Sequence, residues 1–156
     1  MHPSLESIRR DFPQLNDDYT PPWGLATRGE FERLTKLYGC KFPPTYVMYQ
    51  TEYAAVFPIV NNGFAWATQE LEAYPSLEST IVSARKWGVP EHLVPFCEDE
   101  GNFCCFDTQK PSLDDEFPVV FWDHDEHLVL DVQHLRSPNF VSWVQRSLED
   151  WQKRIT

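Results

Sequence analysis

Glycine is scarce and scattered in this 156-residue chain. The six glycines, Gly24, Gly29, Gly39, Gly63, Gly88 and Gly101, never come close enough to form a GxGxxG or Walker loop. No phosphate-cradling turn of those kinds is therefore available. No GxSxG elbow and no HExxH helix occurs either, which removes the commonest hydrolase signatures. Bases are also few, with 13 Lys and Arg against 24 Asp and Glu, for a formal net charge of −11. A nucleic-acid binder needs cations to neutralise phosphates, and an anionic membrane leaflet recruits cations too. Neither partner is expected. No run of 18 apolar residues exists to span a bilayer, and Met1-His2-Pro3-Ser4-Leu5-Glu6 lacks the apolar core of a secretory signal. The four cysteines, Cys40, Cys97, Cys104 and Cys105, include no CxxC pair. Adjacent cysteines rarely join each other in strand geometry. The expectation is a reduced, cytoplasmic protein.

What is present is ordinary globular composition, 42% hydrophobic and 24% charged. At this length a single core suffices. The first half reads as helical. Leu5, Ile8 and Phe12 keep helical spacing until Pro13 stops them. Residues 13–29 read as a loop. Phe31, Leu34, Leu37 and Tyr38 form the next stripe, closed by Gly39. Phe42-Pro43-Pro44 opens a helix carrying Tyr46, Tyr49 and Tyr53. Asn61-Asn62-Gly63 marks a tight turn between Val56–Val60 and Phe64–Ala67. Ser76 caps a helix with Leu77, Ile81 and Ala84 inward, ending near Gly88.

The second half is strand-rich. Leu93–Cys97 and Phe103–Asp107 flank a polar turn at 98–102, a hairpin pattern. After a polar loop over 108–117, Phe117–Trp122 pairs with Leu128–Val132 across Asp123–His127. Ser137-Pro138 reads as a cap with proline in the first turn of a last helix that buries Phe140, Trp143, Val144, Leu148 and Trp151. The expected fold is one α+β domain over residues 1–156, its N-terminal helices and C-terminal helix set around a mixed or antiparallel sheet.

Charge is unevenly placed. Between Trp87 and Leu135 stand twelve acids and a single base, Lys110, so this segment carries the whole negative excess. The clusters are Glu98-Asp99-Glu100, Asp114-Asp115-Glu116 and Asp123/Asp125/Glu126. Each alone suits a solvated turn; together they suggest an acidic face that attracts a basic partner. Asp123-His124-Asp125-Glu126-His127 also crowds oxygen and imidazole ligands. An extended chain would set Asp123, Asp125 and His127 on one face, where a divalent metal could sit. A polar turn between two strands is the commoner role of such a stretch. Cys97, Cys104 and Cys105 with His92 match no common zinc spacing, and Phe103–Phe106 reads as an apolar strand whose cysteines are small hydrophobes. Trp66 and Trp122 each follow a strand beside polar residues, suiting either a binding anchor or a core-edge indole. Asp107 reads as the cap of a turn at its strand end. No cofactor is expected.

Four stretches, taken in order, resemble one family. Phe42-Pro43-Pro44-Thr45-Tyr46 is similar to the Leu-Pro-x-x-Tyr helix opening of the SUKH superfamily. Leu93-Val94-Pro95-Phe96-Cys97 through Phe103-Cys104-Cys105-Phe106-Asp107 resembles its central hairpin, with an acidic-glycine turn. Pro118-Val119-Val120-Phe121-Trp122-Asp123-His124-Asp125 resembles its Val-x-x-Trp-x-His-Asp strand. Ser137, Phe140 and Trp143 match its closing helix. The resemblance covers residues 29–156. It departs where the family's Asn-Gly-Gly becomes Asn61-Asn62-Gly63, placed later in the chain. The resemblance implies an α+β fold without established catalytic residues. It also implies an immunity protein, one that binds a cognate bacterial toxin such as a nuclease. Eukaryotic relatives are cell-wall assembly regulators acting through protein contacts, so a regulatory scaffold is a second expectation. A metal-dependent hydrolase centred on Asp123–His127 is a third. The residues expected to meet a toxin are Glu98, Asp99, Glu100, Asp123, Asp125 and Glu126, with Trp122 as anchor.

Overall fold

The computed structural model describes residues 5–12, 25–55, 63–67 and 76–155. Val56–Val60 and the Asn61-Asn62 turn lie outside them, as do Pro13 and most of the 13–29 loop. The fold is α+β. Among the described residues, five α-helices accompany a four-stranded sheet whose neighbours are all antiparallel and whose spatial order, β1-β2-β3-β4, is also chain order.

Helix α1 (Leu5–Asp11) buries Leu5 and Ile8 at helical spacing, and Phe12 follows them into the core. Helix α2 (Arg28–Tyr38) starts where the Glu30 carboxylate accepts the Thr27 N–H at 3.0 Å, and Gly39 ends it at φ +68°. Leu37 is exposed rather than part of the inward stripe. Phe31 and Leu34, three residues apart, suffice to seat the helix. Helix α3 (Pro44–Thr51) takes Pro44 in its first turn, where the missing N–H costs nothing. Tyr53 falls just past it in a 3-10 turn and donates its hydroxyl to Glu6.

Tyr46 is the hub of the core. Its ring meets Phe31, Phe42, Phe64, Phe96, Phe106 and Phe140, mostly edge to face, and its hydroxyl donates to the Ala65 carbonyl at 3.1 Å. Such edge-to-face pairs add about 0.5–1.5 kcal/mol each beyond area burial. That packing, together with the satisfied hydroxyl, explains a tyrosine at the centre of an apolar core.

Helix α4 (Leu77–Trp87) begins with Ser76 Oγ accepting the Ser79 N–H and ends at Gly88 in the left-handed region. It packs along β1 (Leu93–Asp99). Strand β2 (Asn102–Asp107) closes the hairpin through only Glu100 and Gly101, at φ +52° and +88°, a tighter turn than the expected five residues. The outer edge of β1 is met by the Gly63–Ala65 backbone, with Ala65 N–H donating to Phe96 and Glu98 N–H to Gly63. Strand β3 (Val119–Asp123) and β4 (Leu128–Val129) complete the sheet. Alternation along the strands divides the core. Val94, Phe96, Phe106 and Val119 join the large aromatic group, while Leu93, Phe103, Cys105, Val120 and Trp122 form a smaller one with Ala84 and Val89.

Helix α5 (Phe140–Ile155) does not start as expected. Asn139 is its cap, accepting the Ser142 N–H at 2.9 Å. Ser137 is unavailable because its backbone exchanges two hydrogen bonds with Val119, which holds it extended.

Candidate functional site: an acidic end of the sheet

The register of β2 against β3 decides where the acids lie. Phe103 stands opposite Trp122, which sets Asn102 beside Asp123. The β1–β2 and β3–β4 turns therefore leave the sheet at the same end. They also touch. Asn102 Oδ1 accepts the His124 backbone N–H at 3.0 Å and faces His124 Nδ1 at 2.7 Å. An amide oxygen offers only lone pairs, so Nδ1–H is the donor in this contact. A Cβ on Gly101 would lie 3.3 Å from the same ring, so glycine allows both the left-handed turn and the approach of the imidazole.

Around this joint stand the expected binding residues. Asp99, Glu100, Asp125 and Glu126 are exposed, and Glu98 and Asp123 are half-buried. Glu98 accepts the Ser83 hydroxyl of α4 at 3.2 Å. Asp123 accepts the Glu126 N–H and so shapes its own turn. The six carboxylates occupy one end of the molecule, with the His124 and His127 imidazoles in the same turn as three of them. His124 Nε2 lies 3.2 Å from Asp125 Oδ1.

The aromatic anchor is not Trp122. That indole is 1% exposed, between Phe103 and His127 in the smaller core group. On a strand with alternating faces it points into the packed side, and Trp66 is buried as well. Among the described residues, the exposed Phe, Tyr or Trp at this end is Trp87, 44% exposed at the last turn of α4 and edge-on to His124 with ring centroids 5.3 Å apart. Sequence reasoning missed it because Ala84, three residues earlier, faces inward. Only the relation of α4 to the second hairpin shows that Trp87 clears the sheet.

The third acidic cluster does not join this face. Asp114-Asp115-Glu116 lies in the connection leaving the opposite end of β2. Glu116 is buried, and its carboxylate accepts the Thr45 N–H at 3.0 Å and the Thr45 hydroxyl at 2.6 Å, capping α3 from a distance. Asp107 does cap a turn, accepting the Gln109 N–H.

The metal expectation changes form. Residues 124–127 are a turn, with His127 at φ +54°, so Asp123, Asp125 and His127 do not share an extended face. One ligand atom each from Asp123, His124 and Asp125 falls within a 4.8 Å span. Both imidazole nitrogens there already face protein oxygens. The cysteines form no such cluster with His92, which lies at the far end of β1 from Cys97. Cys97 and Cys105 are buried. The hydrogen bond that the Cys97 thiol makes with Cys104 as acceptor, and then burial, push that thiol well up; burial does the same for Cys105.

Three comparisons bear on the chain. A family model described as SMI1-KNR4 cell-wall, SUKH_5, matches residues 1–149. A crystal structure of a protein from Pseudomonas syringae pv. tomato superposes with a TM-score of 0.64. It is 18% identical and covers 90% of this chain and 96% of that one, a likeness of fold. No curated protein matches at a significant level. With all but the last seven residues matched, the chain belongs to the SMI1-KNR4 (SUKH) family.

Proposed function

We propose that the chain is an immunity protein that binds and neutralises a cognate bacterial toxin, a nuclease or similarly basic effector, by presenting the acidic end of its sheet. The observation that carries this reading is the Asn102–His124 joint, which fixes two acidic turns side by side. A nuclease groove built to grip phosphate is basic, and a fixed array of carboxylates substitutes for the nucleic-acid backbone. Charge complementarity of this kind accelerates capture, which suits an inhibitor that must act before damage is done. Trp87 supplies the large, low-entropy contact that charge alone lacks. The role asked of the site is recognition, without catalysis or a cofactor.

The test begins with a tagged pull-down from the source organism's lysate. It should recover a partner that is toxic when expressed alone and harmless beside this chain. Double reversal, Asp99→Lys with Asp125→Lys, should slow association by about tenfold or more at low salt while leaving thermal unfolding unchanged. Trp87→Ala should act mainly on dissociation. Equal protection by the reversed and wild-type chains would overturn the acidic-end reading. Recovery only of host regulatory proteins, none of them toxic, would favour the scaffold. A hydrolase built on Asp123, His124 and Asp125 demands stoichiometric divalent metal in the purified protein, and elemental analysis finding none would remove it.

A further inference from the structure

At the opposite end of the sheet lies a site of the opposite sign. Leu130 N–H donates to Phe121, and Ser137 exchanges two hydrogen bonds with Val119. Phe121 and Val119 are separated by one residue, whereas Leu130 and Ser137 are separated by six. Residues 131–136 must therefore loop away from β3 opposite Val120. The result is a cleft of about 340 Å³, lined by Pro118, Val119, Val120 and Pro138 on its apolar side. This is within the size range of small-molecule sites.

Its polar lining is cationic. Lys110, the lone base of the acid-rich segment, meets Arg136 and Arg146 there, against one carboxylate, Asp107. Lys110 is 3.9 Å from Asp107, at the outer limit of an ion pair. Arg136 pairs at 3.3 Å with Asp131, an exposed contact worth little in water. Arg146 is fixed by Nη1, which donates to the His134 and Arg136 carbonyls at 2.8 and 2.6 Å. Its Nη2 and Nε have no acceptor among the described residues. Beside these cations sits Ser137, 4% exposed, whose hydroxyl is the single buried side-chain polar atom among the described residues without a hydrogen-bond partner. A buried orphan of this kind is costly and marks this corner as imperfectly packed.

We propose that this cleft binds a small organic phosphate. A phosphomonoester carries nearly two negative charges and three acceptor oxygens. Those oxygens answer the cationic excess of the lining and the unused donors of Lys110 and Arg146, and the apolar wall receives the organic body. A monocarboxylate would satisfy fewer donors and leave positive charge uncompensated. The site shares no residue with the acidic end and stands or falls separately from the immunity reading.

The probe is phenyl phosphate, titrated calorimetrically into the full-length protein, with inorganic phosphate, benzoate and benzyl alcohol as comparators. Phenyl phosphate should bind saturably and more tightly than all three. Arg136→Gln and Lys110→Gln should each weaken it by about tenfold, since both remove a charged donor from the cleft. Arg146→Gln also breaks two structural bonds, so the other two variants decide. No saturable binding, binding indifferent to these substitutions, or preference for benzoate would overturn the proposal. Inorganic phosphate binding as tightly as phenyl phosphate would overturn the organic part of it.

Discussion

Thr45 and Glu116 stand 71 residues apart in the chain, yet one carboxylate satisfies both the backbone and the hydroxyl of the other residue. In the sequence Glu116 is one more acid in a charged loop. Its spacing gives no sign of the helix it caps, because the pairing exists only once the sheet has brought the 108–118 connection beneath α3. Glu116→Ala should lower stability by about 2 kcal/mol in urea unfolding with an unchanged slope, whereas Asp99→Ala should shift it by less than about 0.5 kcal/mol. Trp122 and Trp87 carry the same lesson: local composition marked the buried indole, and tertiary placement exposes the other. Cys105, by contrast, was legible as a buried small hydrophobe from the apolar strand around it, whereas its neighbour Cys104 is only half-buried. Under native conditions a thiol reagent should label half-buried Cys104 first and reach Cys97 and Cys105 only on unfolding. Because their thiol pKa values are raised in the folded state, their contribution is intact below the ordinary thiol value of 9.0 and declines as pH rises past it.

Among the elements, helices with conventional caps were the most legible. Ser76, Gly39 and Gly88 do what their residue types favour. The start of α5 was not legible, since Ser137-Pro138 is a good cap signal whose serine is taken by a backbone pairing with β3. Strand β4 is shorter than its apolar run because the chain departs from β3 after Leu130. Gly63 is more constrained than its place after Asn61-Asn62 suggests. A Cβ there would lie 1.8 Å from the Glu98 carbonyl oxygen, on backbone that cannot move without breaking the Gly63–Glu98 hydrogen bond. Gly63→Ala should cost about 3 kcal/mol or more, measured by chemical denaturation. Asn139→Ala should cost about 1 kcal/mol, and Ser137→Ala should not show the loss of a helix cap.

Across the whole molecule, the excess acid was countable from sequence, but its division was not. Two clusters share one end, the third is partly consumed in capping α3, and the scattered bases Lys110, Arg136 and Arg146 gather at the other end. That arrangement follows from the antiparallel register, which a list of charged residues does not contain. Arg33 and Tyr38 on α2 both donate to Glu78 on α4 and hold its carboxyl below the usual value of 4.5. This tie contributes above that value and is lost as pH falls through the lowered one. Glu78→Gln should therefore flatten the acid limb of a stability–pH curve only slightly, because the pair is largely exposed.

The meander also has a temporal reading. Since each strand pairs with the one just before it in the chain, the sheet can assemble by successive short closures, the first across only Glu100 and Gly101. The aromatic layer over one face draws on both chain ends and closes far larger loops. In pulse-labelled hydrogen exchange during refolding, amides of Phe103–Phe106 should gain protection before those of Ile8 and Val144. Simultaneous protection would mean that the hairpins cannot persist until Tyr46 and its ring neighbours have closed over them.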